Sequence, residues 1–111
     1  NTLKKGTARD MRKNLDLDES LFDWSIYYCG NGLMDVSELL IVKSDNSAAL
    51  ETAEKAVASR LDAQKTNFDG YGTNQIDLLG HAITKKVGPY YFYAVSEHAS
   101  TWEEVFMGLV K

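Results

Sequence analysis

Four residues, Arg60, Gln64, Tyr71 and Gln75, have the side-chain types of an anion site. A guanidinium offers paired N–H donors to a carboxylate, and amides and a phenol can complete the shell. Arg60 and Gln64 are four residues apart, so they share one face of a helix. Two readings of Arg60 stand at this level. It can hold the carboxylate of a small ligand or peptide, or it can pin the loop at 68–72 while its stem packs on apolar surface. A second constellation is His81, His98 and Glu97, with Asp77 as another possible ligand. If a hairpin brings the two histidines together, they could serve a metal-dependent hydrolase. If not, they are solvated turn histidines. No cofactor is expected, and no catalytic residues are assigned.

Other chemistry-bearing residues read more plainly. Ser96, Ser100 and Thr101 suit helix caps better than nucleophiles. Gly30-Asn31-Gly32 lacks the following helix and lysine of a phosphate loop, so it reads as a turn. Asp16, Asp18 and Glu19 lack the glycine and distal glutamate of a calcium loop. The single cysteine, Cys29, ends an expected strand and reads as a buried, inert thiol.

These residues lie on a chain of 111 residues, one domain spanning 1–111. It has 12 basic and 16 acidic residues, a formal charge of −4 that argues against a nucleic-acid partner. Lys4, Lys5, Arg9, Arg12 and Lys13 cluster, but Asp16, Asp18, Glu19 and Asp23 offset them. No apolar run is long enough to span a bilayer. The first residue is Asn1 rather than methionine, which fits a fragment freed of a leader or tag.

Hydrophobic periodicity supplies the elements. Residues 1–20 read as a helical lead-in on Leu3, Ala8, Met11 and Leu15, weakened by Gly6. Residues 24–29 alternate as a strand, and 38–43 are apolar on both faces, as a central strand is. Asp45, Asn46 and Ser47 are cap candidates for a long helix, 47–69, with Leu50, Ala53, Val57, Leu61 and Phe68 on one face. A short helix spans 74–79. Strands 81–87 and 90–96 flank Gly88-Pro89, whose residues fit a type II′ turn. A last helix, 101–110, turns Trp102, Val105, Phe106 and Leu109 to the core, with overlapping capping boxes at its start. Two hairpins joined by helices predict an α+β two-layer sandwich. Its four-stranded antiparallel sheet, in order 1-2-4-3, is packed by helix 47–69 and the C-terminal helix.

The stretch 38–95 resembles a bacterial family known as domain of unknown function 4358. The resemblance rests on Glu38 opening the second strand, Arg60 and Gln64 on the long helix, Phe68 before Tyr71, Gln75 on the short helix, and Gly88-Pro89-Tyr90 at the second hairpin. It implies a small exported lipoprotein, extracytoplasmic and held at the cell surface by a lipid anchor upstream. It offers no catalytic residues.

Tyrosines crowd the expected strands. If the helices all lie on one side, Tyr27, Tyr91 and Tyr93 can form an open partner surface, since such rings give contact area at low entropic cost. If the N-terminal helix covers that face, the same rings are core. The function expected is a binding module for an unknown protein or small ligand, with the metal-dependent hydrolase on His81, His98 and Glu97 as the alternative.

Overall fold

The computed structural model describes residues 3–30, 36–68 and 73–110. The elements in order are β1 (Leu3–Lys5), α1 (Ala8–Leu15), a 3-10 turn (Glu19–Leu21), β2 (Trp24–Gly30), β3 (Glu38–Lys43), α2 (Ser47–Phe68), α3 (Thr73–Gly80), β4 (Ile83–Val87), β5 (Tyr90–Val95) and α4 (Ala99–Val110).

The lead-in is a strand and then a helix, not one helix. Thr7 caps α1: its hydroxyl accepts from the Asp10 N–H, and the Asp10 carboxylate accepts from the Thr7 N–H. That capping box starts the helix only after Gly6. Asp16, in the left-handed region at φ 55°, ends it. Met11 and Leu15, four residues apart, are its buried face.

The sheet has five strands in the order β1-β2-β3-β5-β4, all antiparallel. This corrects the four-stranded expectation. The expected strands are β2 to β5, and β1 adds an edge beside β2. Three residues, two of them lysine, carry no alternation that a sequence reading could catch, and lysine is a common guard of a sheet edge. Between β4 and β5, Gly88 takes φ 55°, which favours glycine, and the reversal places Val87 opposite Tyr90.

Helices cover both faces, which corrects the two-layer sandwich. Register sets Tyr27, Leu40 and Tyr93 in one row, and Ile26, Ile41 and Phe92 in the next row on the opposite face. The inner face packs on Met11, Leu15, Leu50, Ala53 and Val57 of α1 and α2. The outer face packs on Phe106 and Trp102 of α4, with the Phe106 ring stacked on Phe92 at 4.9 Å. The physical reason lies in β5: Tyr91, Phe92, Tyr93, Ala94 and Val95 are all buried, so both of its faces need a cover.

The caps also differ in part. Asn46 starts α2, its side-chain oxygen accepting from the Ala48 N–H at 2.9 Å. α4 starts at Ala99, ahead of Ser100 and Thr101, with the Ser96 hydroxyl accepting from the His98 N–H at 3.0 Å. Of the residues expected in the core, Val105 is 58 % and Leu109 77 % exposed. The Phe68 side chain, on the expected apolar face of α2, lies outside the described residues, as does Asp69.

Candidate functional site

Glu38 opens β3 and is only 1 % exposed. A buried carboxylate is costly unless its oxygens are paired. Here each oxygen is. Oε1 accepts from the Tyr93 hydroxyl at 2.7 Å and from the Arg60 Nε at 3.2 Å. Oε2 accepts from the Tyr27 hydroxyl. The Tyr27 oxygen in turn accepts from the Asn14 amide at 3.0 Å. One carboxylate thus joins α1, α2, β2, β3 and β5.

The sheet pleat explains the convergence. Tyr27 and Tyr93 both pair with Leu40, two residues beyond Glu38 on the same face. Their long side chains reach Glu38 along the diagonal. Arg60 sits at the boundary of the buried face of α2 and drops its guanidinium onto the carboxylate, with its side chain 20 % exposed.

The cluster ties five elements together through buried polar groups. Burial first, and then the Glu38 charge, push both phenols well above their ordinary range. Neither is available as a base at neutral pH. Each carboxylate oxygen accepts at least one hydrogen bond, and the group is buried. Arg60 does hold a carboxylate, as its type suggested, but the carboxylate is the chain's own. Gln64, one turn further on, is buried. Tyr71 and the side chain of Gln75 lie outside the described residues.

Tyr27, Tyr91 and Tyr93 are core. They are 4 %, 2 % and 0 % exposed, under α1 and α2. They present no open surface to a partner, because the helices pack on the face that carries them. Burial pushes the Tyr91 phenol up to about 12.

Each histidine contacts a residue close to it in sequence. His81 bonds through Nδ1 to the Asp77 carbonyl at 2.8 Å. His98 lies 3.4 Å from its neighbour Glu97, and both are exposed. Among the described residues, no group of three or more histidine, cysteine, aspartate or glutamate side chains could hold a metal ion. Cys29 is buried and its thiol is pushed up by burial, as an inert cysteine is. Asp18 caps the 3-10 turn through the Ser20 N–H and pairs with Arg12 at 3.1 Å.

Two open features stand out among the described residues. The outer face is only half covered: α4 lies over β5 and β4, and Trp24 and Ile26 of β2 stay 42 % and 40 % exposed. At the outer edge of β2, where β1 stops, is a cleft of about 340 Å³.

A family model described as "Domain of unknown function (DUF4358)" matches residues 1–96. The chain belongs to that family. No curated protein and no solved structure matches it. In this DUF4358 domain the matched span takes in all five strands, the Glu38 cluster and the edge cleft, and ends just before α4.

The centre of the buried cluster, Glu38, was noted in the sequence only as the start of a strand. A signal for it does exist: it is the one carboxylate in a run, Glu38–Lys43, that is otherwise apolar up to its last residue. A charge at the head of a central strand requires partners, and phenols on the strands beside it are suitable ones. Alternation over 24–29 puts Trp24 and Ile26 on one face but does not say which face stays open.

Proposed function

We propose that this domain is a non-catalytic interaction module, exported and tethered at the cell surface through a lipid anchor, that docks an apolar helix of a partner protein. The location is supported by the resemblance to small exported lipoproteins. One observation carries the docking: the uncovered half of the outer sheet face.

Its shape argues for a helix. Glu103 of α4 pairs with Lys85 of β4 at 3.1 Å, which fixes that flank of the helix toward β4. At about 100° per residue, Val105 and Leu109 then lie on the other flank, above β3 and β2. They form a wall, and Trp24, Ile26 and Ile41 form a floor two strands wide. Two strands measure about 10 Å across, the width of one helix. The exposed parts of Trp24, Ile26, Val105 and Leu109 sum to roughly 400 Å², half of what each partner buries in a standard interface between folded proteins. A single helix fits that area, whereas a second folded copy seated on this face alone does not reach it.

The test is site-specific photo-crosslinking in producing cells. A benzophenone amino acid replaces Ile26 on the floor or, as control, Glu51 on the exposed side of α2. A discrete adduct is expected from position 26 only, and Leu109→Lys should abolish it. Adducts of equal yield from both positions, or none from position 26, would refute the docking face.

A further inference from the structure

The edge cleft adjoins the apolar face and shares Ile26 with it, but it adds unused backbone hydrogen-bonding capacity. β1 pairs with β2 only as far as Lys5 opposite Tyr28. Gly6 then donates its N–H to the Tyr27 carbonyl at 2.8 Å, and the chain turns away into α1. The Tyr27 carbonyl therefore points to the β1 side. In a strand the N–H and C=O of one residue point the same way, and alternate residues repeat it. The Tyr27 N–H and both backbone groups of Ser25 consequently face the same edge. None of the three has a backbone partner among the described residues. All three lie where the cleft opens, and Ser25, Ile26 and Tyr27 line it.

Unpaired edge groups are a template for an added strand. The free stretch from Tyr27 to Trp24 is about 10 Å long, enough for two or three extended residues. A cleft of about 340 Å³ lies at the small end of ligand sites. Charge narrows the occupant further. Lys5 and Glu19 both line the cleft, both are exposed, and neither is held in an ion pair among the described residues. They set one cation and one anion at the mouth of the same site, complementary to a free carboxylate and a free ammonium.

We infer that the β2 edge cleft binds a short peptide with free termini. The peptide adds as a strand to Ser25 and Tyr27, with its carboxylate at Lys5 and its ammonium at Glu19. Two peptide carbonyls accept from the Tyr27 and Ser25 N–H groups, and one peptide N–H donates to the Ser25 carbonyl. Side chains on alternate residues face Ile26 on one side, which favours an apolar residue there. The chain of a folded protein lacks the two terminal charges and is the poorer ligand.

The experiment is an NMR titration of the ¹⁵N-labelled domain with the tripeptide Ala-Val-Ala. Saturable shifts are expected at the Ser25 and Tyr27 amides, with slower hydrogen exchange at both. Exposed ion pairs are weak, so Lys5→Glu and Glu19→Lys should each raise Kd about threefold, and acetylating and amidating the peptide about tenfold. Both variants change exposed side chains and leave the fold intact, which the unshifted remainder of the spectrum checks. Ser25→Pro, which removes one edge donor where proline is tolerated, should abolish binding without changing melting by more than a few degrees. Unmoved Ser25 and Tyr27 amides at millimolar peptide overturn the proposal, as does a capped peptide that binds as well as the free one.

Discussion

Replacing the two buried phenols one at a time should separate two kinds of loss at Glu38. Tyr93→Phe removes a hydroxyl that donates to Oε1 at 2.7 Å, but Arg60 still donates to the same oxygen at 3.2 Å. The ring stays, so no cavity forms. A hydrogen bond to a charged group contributes about 1.5–3 kcal/mol, and the retained Arg60 contact puts this variant near the lower figure, about 1.5 kcal/mol. Tyr27→Phe is different. Among the described residues Oε2 accepts only from Tyr27, and the Asn14 amide also loses its acceptor. A buried carboxylate oxygen left bare carries its own desolvation cost, so the loss should be about 3 kcal/mol. In urea, with a slope of about 2 kcal/mol per molar, the midpoint should fall by roughly 0.7 M for Tyr93→Phe and 1.5 M for Tyr27→Phe. Circular dichroism across a urea series reads both. A larger loss for Tyr93→Phe, or losses under about 0.5 kcal/mol in both, would mean that the carboxylate is solvated and that the network does not hold the five elements together.

Other perturbations test the same packing. A Cβ on Gly6 would stand 2.3 Å from Cδ2 of Tyr27, a ring tethered at its hydroxyl by Glu38 and Asn14, so Gly6→Ala should cost about 2–3 kcal/mol in thermal melts. Gly108→Ala, with nothing within 4 Å and on an exposed helix position, should instead be neutral or stabilising by up to about 1 kcal/mol, and equal effects at the two sites would refute the packing of Gly6 on Tyr27. Tyr27, Tyr91 and Tyr93 hold their protons above the unfolded value near 10, so the folded state binds more protons and loses stability as pH rises past 10, for Tyr91 up to about 12. Phenolate absorbance and circular dichroism should therefore change together in alkali for these three of the six tyrosines, and full ionisation of an intact fold would contradict their burial.

Much of the scaffold was legible in local chemistry. Period-two alternation marked β2 and β4, and continuous apolar runs marked β3 and β5 as central. Gly88-Pro89 marked the hairpin because only certain residues tolerate its backbone angles. β1 was missed because three residues have no period, and its place in the sheet comes entirely from pairing with β2. The start of α4 was misplaced because Ser96, Ser100 and Thr101 are all competent caps, and the length of β5 chose among them.

The candidate sites divide along the same line. Residue type alone made a carboxylate one of two partners open to Arg60, and made Cys29 a buried strand-end thiol. Which carboxylate Arg60 meets depends on a sequence separation of 22 residues and a shared sheet face, so only the fold could name Glu38. The same holds for the tyrosines. Their alternation put Tyr27 and Tyr28 on opposite faces, yet a strand's pattern does not say which face a distant helix will cover. α1 and α2 took the Tyr27 side, and α4 took only half of the other. Periodicity is a property of neighbours along the chain. Burial of a sheet face, and the vacancy left beside α4 or at the end of β1, depend on contacts between residues far apart in sequence, and these arise only once the layers have packed.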